Sequence, residues 1–460
     1  MSTTTTLIHR AYAGPVEWWR DTLVYEVASP ELGAEQLGDL GNVCEHVVSL
    51  GFGAILIRPS RLATSTDIAE FRRFAERAHE QGLRVIVRIS GALGPVTGPH
   101  AHEANPILVG EERGFEGLVE RAGCFLAAGA DGVDLGTIIP PEVWDQSDLQ
   151  RLSDYFTLMQ SLLAQHVPDG TLGADVSASY PDALRHHLQD DWLHHLRDDR
   201  LMLSRWDPQS LTDAITHSLR EHDRFGAAPV WRFLPGYRLV DRANPGDGSR
   251  WFETAPDPEL RRRALALQAL VLALPGSVYL RQGDEIGLPD ADKPTDPLAL
   301  AELVQTQAAS QGTQFGSPLA TVRHATYVRH EHHLAAAPFA FVQGLDWSPR
   351  DVLTALTRDV LVLVNTSSRA LLLPEHAEVL LSSAQLGQDG DNLVVPPGDD
   401  GLGGRGDCCL GHFSATTLQQ DPLLLAWLAQ ARYIFCRQPS VPIRFEGESR
   451  CPSIAGRSSL

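Results

Sequence analysis

The sequence predicts an α/β chain, a (β/α)8 TIM barrel followed by a small C-terminal antiparallel β-domain. Three observations predict it. Short apolar or β-branched runs alternate with helix-patterned stretches eight times between residues 22 and 280. Helix-patterned stretches end in glycine just before the next apolar run, as at Gly51, Gly82 and Gly129. Beyond about Pro289 the alternation stops and short strand-like runs take over.

In chain order, Thr22-Leu23-Val24-Tyr25-Glu26-Val27 reads as a buried parallel strand. Leu40, Val43, Val47 and Leu50, three and four apart, predict a helix over 37–50, and Ala54-Ile55-Leu56-Ile57 is the second strand. A helix over 68–81 leads to the third strand, Val85-Ile86-Val87-Arg88-Ile89. Residues 90–113, rich in Gly, Pro and His, read as loop; 115–128 is helical and Val133 to Leu135 is the fourth strand, broken by Gly136-Thr137. The helix at 149–165 precedes a fifth strand at 171–176, and the apolar Leu201-Met202-Leu203 is the weakest candidate, for the sixth. A helix over 211–221 leads to Val230-Trp231-Arg232-Phe233-Leu234, and an apolar helix over 260–274 leads to Ser277-Val278-Tyr279-Leu280. Residues 298–311 are helical, 312–350 read as irregular, and short strands fall at 360–365, 370–373 and 379–381. The domain plan is a barrel over 1–290, a connecting region over 291–325, a β-domain over 326–398 and an extension over 399–460.

Composition bounds the function. Hydrophobic residues at 43% and charged residues at 21% of 460 are globular values. With 38 Lys and Arg against 58 Asp and Glu, the net charge of −20 disfavours nucleic acid as a partner. The first 20 residues lack a basic start followed by an apolar run, and no window approaches the ~18 apolar residues of a membrane helix, so a cytoplasmic location and no membrane partner are expected. Six cysteines form no disulfide framework. Arg329-His330-Glu331-His332-His333 has metal-ligand residue types but no ligand spacing, so it reads as a solvated loop and no metal is expected. His186-His187 and His194-His195 read as exposed on a polar helical stretch. Gly401-Leu402-Gly403-Gly404 lacks the strand-helix context of a phosphate loop, and no cofactor is expected.

With the strands placed, the chain resembles the α-amylase superfamily, glycoside hydrolase family 13, in its α-glucosidase and oligo-1,6-glucosidase branch. The resemblance spans the barrel. Trp18-Trp19-Arg20-Asp21-Thr22-Leu23-Val24-Tyr25-Glu26-Val27 is similar to the family's opening strand, Leu50 to Leu56 to its second, and Ala78 to Val87 to its third. Ala130-Asp131-Gly132-Val133 matches the approach to the nucleophile, and Leu272 to Leu288, L-A-L-P-G-S-V-Y-L-R-Q-G-D-E-I-G-L, is the longest and most specific match. The resemblance implies a barrel, a β-domain after it, and retaining hydrolysis or transfer of α-glucosidic bonds in α-linked gluco-oligosaccharides. That chemistry needs a nucleophilic aspartate ending the fourth strand and an acid/base glutamate ending the fifth, with carboxyls ~5–5.5 Å apart.

Position by position this chain departs from the pattern. The family's arginine position holds Asp134 and its nucleophile position holds Gly136. The acid/base position holds Asp175, one methylene shorter. The seventh-strand motif falls on Leu234-Pro235-Gly236-Tyr237, without histidine or third carboxylate; the third-strand motif runs from Arg88 to Leu93; Ala28 stands where a tyrosine follows the first strand. The insertion after the third strand, the B-domain, is shortened. Side chains alternate along a strand, so Asp134 faces the same side as Gly136 and lies ~6–7 Å deeper. The expected reading is a degenerate hydrolase-like barrel, with Asp134 a paired charge near Arg88 or Arg58 and Asp175 a helix cap. The alternatives are an active α-glucosidase using Asp175 with a non-standard partner, and a barrel repurposed for other chemistry with Arg88, Asp134, Asp175 and Tyr237 as its polar groups. Trp231, Arg232 and Tyr237 fit two roles equally, lining a residual sugar groove, since aromatic faces stack on sugars, or packing. The oligomeric state is not legible.

The composition shifts after Val394-Val395-Pro396-Pro397-Gly398. A GC-rich coding of Asp399 to Gly404, read one nucleotide later, gives Thr-Thr-Ala-Trp-Val-Ala, the ending the family branch carries. Residues 399–460 are therefore read as a frameshifted, disordered extension.

Overall fold

A computed structural model describes residues 3–12, 14, 17–28, 31–60, 62–89, 112–138, 146–176, 178, 182–189, 192–232, 258–289, 292–314, 316–367, 369–374, 377–395 and 407–413. The chain starts with strand β1 (Thr4–His9) and then enters a closed barrel of eight parallel strands. These are β2 (Leu23–Glu26), β3 (Ala54–Ile57), β4 (Arg84–Arg88), β5 (Gly132–Thr137), β6 (Thr171–Val176), β7 (His195–Asp198), β8 (Val230–Arg232) and β9 (Ser277–Arg281), with β9 pairing back onto β2. Between them run α1 (Ala34–Leu37), α2 (Gly41–Ser49), α3 (Ser65–Glu80), α4 (Glu112–Ala127), α5 (Gln146–His166), α6 (Ala183–Leu188), α7 (Pro208–Phe225) and α8 (Pro258–Ala273). Local chemistry sets these helices. Thr64 Oγ1 accepts the Asp67 N–H at 3.1 Å while the Asp67 carboxylate accepts the Thr64 N–H at 2.8 Å, a reciprocal cap on α3. Asp207 caps α7 through the Ser210 N–H at 2.8 Å, and Gly226, at φ +69°, ends it.

Strand alternation sorts the barrel residues. Tyr25, Ile55, Val85, Val133, Leu172, Leu196, Trp231 and Leu280 belong to the main core between strands and helices. Val24, Ala54, Leu56, Ile86, Val230 and Tyr279 form a second apolar cluster in the barrel interior, with Trp18 packed on it. Burying each large apolar side chain contributes about 1.5–3 kcal/mol. The Gln282-to-Gly287 run seals the seam between the last strand and the first. Gln282 accepts the Ala28 N–H at 3.2 Å, and Glu285 accepts the Tyr25 hydroxyl at 2.7 Å and the Gly283 N–H at 2.7 Å, with His46 Nε2 3.0 Å away.

After α9 (Pro297–Gln311) and α10 (Pro318–Glu331) come β10 (Phe339–Gln343), β11 (Val352–Thr357), β12 (Val360–Asn365), β13 (Leu371–Leu372), β14 (Ala377–Ser382), β15 (Gly387–Asp389), β16 (Asn392–Val395) and β17 (Asp407–Phe413). They build a six-stranded sheet in the order β1-β10-β11-β12-β17-β14 and a three-stranded sheet β13-β16-β15. No helix among the described residues is long and apolar enough to cross a membrane.

Several local expectations are corrected. The sixth barrel strand is His195–Asp198, and Leu201-Met202-Leu203 forms the turn after it. The helix expected over 37–50 is two pieces, α1 and α2. The region expected to be irregular carries α10 and β10, and α10 runs across the 325/326 boundary. Arg329 is no loop residue: it is buried in α10 and donates to the carbonyls of Leu272 (2.8 Å), Leu274 (2.6 Å) and Gly276, closing the end of α8. Such a cation beside the last carbonyls of a helix offsets its dipole. Within the stretch expected to be disordered, Asp407–Phe413 pairs with both β12 and β14; the rest of 399–460 lies outside the described residues.

Candidate functional site

The upper half of the barrel interior holds a closed ring of six charged side chains, each from a different strand. Glu26 ends β2, Arg88 ends β4, Asp134 lies within β5, Asp175 on β6, Arg197 on β7, and Arg232 ends β8. Arg88 Nη1 donates to Glu26 at 2.6 Å and its Nε to Asp134 Oδ1 at 2.8 Å. Arg197 Nη2 reaches Asp134 Oδ2 at 2.5 Å, and its Nε donates to Asp175 Oδ1 at 2.5 Å. Arg232 Nη1 donates to Asp175 Oδ2 at 2.9 Å and its Nη2 lies 3.5 Å from Glu26, closing the circuit. Arg88 Nη2 adds a cross-link to Asp175 Oδ2 at 3.5 Å.

Acid and base alternate around the circuit, so the three carboxylates and three guanidinium groups neutralise one another inside the protein. The exposures are 4% for Glu26, 8% for Arg88, 0% for Asp134, 2% for Asp175, 1% for Arg197 and 3% for Arg232, so solvent screens none of these contacts appreciably. Burial alone raises the Asp134 pKa, but the guanidinium groups of Arg197 and Arg88 outweigh it and hold this carboxyl below its ordinary value. The Arg197 pKa is displaced upward: its own burial opposes this, and the charges of Asp134 and Asp175 overcome that opposition.

Two features make room for the ring. Gly173 on β6 faces the interior, where an added Cβ would sit 3.0 Å from Asp134 Oδ2 and 3.4 Å from the His195 Cβ. Beneath, the Tyr279 ring lies 4.1 Å from the Arg197 guanidinium carbon. His195 connects Tyr279 to the chain start: its Nε2 faces the Trp19 carbonyl, an acceptor only, so Nε2 carries the proton and Nδ1 accepts the Tyr279 hydroxyl at 2.6 Å. Burial pushes the His195 pKa down to about 3, which keeps the ring neutral.

At Gly136 the β5–β6 register jumps, from Asp134 opposite Gly173 to Thr137 opposite Asp175. The extra residue is a bulge, and Gly136 takes φ +67°, a conformation glycine adopts freely. Its N–H donates to Asp134 Oδ1 at 2.9 Å. Where the family pattern puts a nucleophile, a backbone N–H serves the carboxylate below.

Of the residues singled out from the sequence, Asp134, Asp175, Arg88 and Arg232 come together in the ring. Asp134 pairs with Arg88 as expected, whereas Asp175 is an ion-pair partner of Arg197 and Arg232. Trp231 faces away from the barrel interior: it is 2% exposed, and its indole N–H donates to the Pro275 carbonyl at 2.7 Å. Ala28 lies beside Gln282 at the seam. Leu93, Gly236 and Tyr237 lie outside the described residues. The expected exposure of the histidine pairs fails for His187 and His195, both buried. Among the described residues no cluster of His, Cys, Asp and Glu has the arrangement to hold a metal ion. Sequence reasoning missed Glu26 and Arg197. The usable signal was charge at the inward position next to a strand's end, opposite in sign to that on neighbouring strands.

The sequence matches no family model and no curated protein. Solved structures do match. Amy13B of Eubacterium rectale aligns with a TM-score of 0.57 at 11% identity over 88% of this chain and 97% of that one. An enzyme described as family GH13_31 gives 0.55 at 11% over 86% and 100%. The α-amylase from H. orenii gives 0.54 at 14% over 85% and 99%. An eight-stranded parallel barrel followed by an antiparallel sheet, aligned across nearly the whole of these enzymes, shows that this chain shares their fold.

Proposed function

We propose that this chain is a catalytically degenerate relative of the α-glucosidase-like glycoside hydrolases, one that does not cleave α-glucosidic bonds and acts on α-linked gluco-oligosaccharide, if on any sugar, by binding it. The observation that carries this reading is the ring. A retaining hydrolase needs one carboxylate free to attack the anomeric carbon and a second able to deliver a proton to the leaving oxygen. Here both oxygens of Asp175 accept from guanidinium groups, both oxygens of Asp134 are likewise engaged, and Gly136 offers no side chain. Removing a nucleophile alone costs a factor of about 10⁴ to 10⁶ in rate.

Incubation of the purified protein with maltose and isomaltose, alongside Asp175→Ala, tests the proposal. The expected result is no glucose release from either protein. Release by the wild type that Asp175→Ala abolishes would overturn it. Calorimetry with maltotriose then reports binding: a saturable isotherm without turnover supports a sugar-binding module, and none leaves the barrel without a sugar role.

A further inference from the structure

Outside the barrel interior, a cavity of about 470 Å3 lies between α8, the turn after β9, and α9. Small-molecule sites usually occupy clefts of roughly 300–1,000 Å3. The described lining carries the donors Arg261, Arg262, Gln268, Gln307 and Gln311 beside two carboxylates, Asp284 and the exposed Asp292. Gln268 on α8 is 3% exposed, and its side-chain Nε2 has no hydrogen-bond partner among the described residues. A buried amide left unpaired is costly, so its position in a cavity wall points to a ligand that pairs with it. Gln307, half-buried on α9, and the exposed Arg261, two turns before Gln268, line the same cavity. Leu265, Ile286 and Leu288 supply an apolar wall. The floor is rigid: Gln311 donates to the Ile286 carbonyl at 2.9 Å and accepts the Leu319 N–H at 3.1 Å. Asp284, wholly buried there, is neutralised by Lys293 at 2.7 Å.

We propose that this cavity binds a small polyhydroxylated anion, with Arg261 taking its oxyanion head and the Gln268 and Gln307 amides its hydroxyl groups. A guanidinium matches the geometry of a phosphate or carboxylate, and a primary amide both donates to and accepts from hydroxyls. The apolar wall suits the C–H face of such a molecule. Among the described residues the lining contains no aromatic ring, so these residues offer no stacking platform of the kind a long glucan would use. The site is separate from the charged ring, and the inference does not depend on whether the barrel hydrolyses sugars.

Calorimetry on the full chain with glucose 6-phosphate, gluconate, glucose and inorganic phosphate tests it. Saturable binding of glucose 6-phosphate or gluconate, at least ten-fold tighter than glucose and than inorganic phosphate, is expected. Gln268→Leu should weaken that binding ten-fold or more without lowering the melting temperature, because an unpaired buried amide loses no partner when replaced. Arg261→Ala should remove the preference for the anions over glucose. Absence of saturable binding by all four probes would overturn the proposal. So would glucose binding as tightly as the anions, or binding unchanged in Gln268→Leu.

Discussion

At the residue scale, Arg197 spans two carboxylates, and its removal tests the ring most sharply. Replacing a buried ion-pair network with apolar groups is often neutral, whereas removing one partner leaves uncompensated charge and costs about 3–5 kcal/mol. Arg197→Met leaves Asp134 and Asp175 facing each other, so it should lose at least 3 kcal/mol in urea unfolding at pH 7; a loss under about 1 kcal/mol would mean the ring is not tightly coupled. His195 makes a separate prediction in pH. Its folded pKa of about 3 lies below the unfolded value of ~6.5, so its contribution is fully present above pH 6.5 and is lost as pH falls toward 3. Between pH 7 and pH 5 it should remove about 2 kcal/mol of stability, a slope that His195→Gln abolishes. Asp134 acts in the same direction at lower pH, since its depressed pKa gives stability present above ~3.9 and lost as pH falls through the folded value.

At the element scale, the turn between α8 and β9 is the tightest junction of the barrel. Gly276 has φ +93°, and a Cβ there would fall 2.0 Å from the Pro229 carbonyl oxygen, a backbone atom with nowhere to go. Gly276→Ala should therefore destabilise by about 3 kcal/mol or more, read as a fall in melting temperature; an unchanged transition would refute the close approach. The same elements explain what is legible in the sequence. Outer strand faces such as Ile55, Val85 and Val133 bury against helices, so most strands announce themselves by apolar runs. β7 does not, because His195, Arg197, Asp198 and the adjoining Asp199 put polar side chains where a parallel strand ordinarily looks apolar, and the apolar Leu201-Met202-Leu203 beyond imitates the missing strand. The positions of Asp134, Gly136 and Asp175 follow from motif alignment, but the circuit joining them does not. It depends on parallel register among strands separated by up to 206 residues, as between Glu26 and Arg232. β1 is hidden for a similar reason: Thr4–His9 is mostly exposed, and only pairing with β10 makes it a strand.

At the scale of the whole molecule, the longest family-like motif and the charged ring do different jobs. Gln282 and Glu285 tie the last barrel strand to the first, which serves the fold whatever the chemistry. Asp134 and Asp175, both singled out from the sequence, belong to an electrically balanced ring of buried charges. The second sheet adds a constraint on the chain end, since β17 sits between β12 and β14 and leaves neither facing edge open. Truncation after residue 398 should lower stability more than truncation after residue 413, measured by thermal unfolding; equal stabilities would mean that Asp407–Phe413 contributes nothing there. The frameshift origin of residues 399–460 stands as a proposal about the gene, decided by its codons: a set incompatible with the shifted reading rejects it.

Under the proposed function, the ring leaves this barrel without a nucleophile. An aryl α-glucoside tests it most directly, because an activated aryl leaving group needs little protonation and would reveal any carboxylate still able to attack. The account predicts release of the aryl alcohol at the spontaneous rate, the same for wild type, Asp134→Ala and Asp175→Ala. Release above that rate in the wild type, abolished by either substitution, would contradict it.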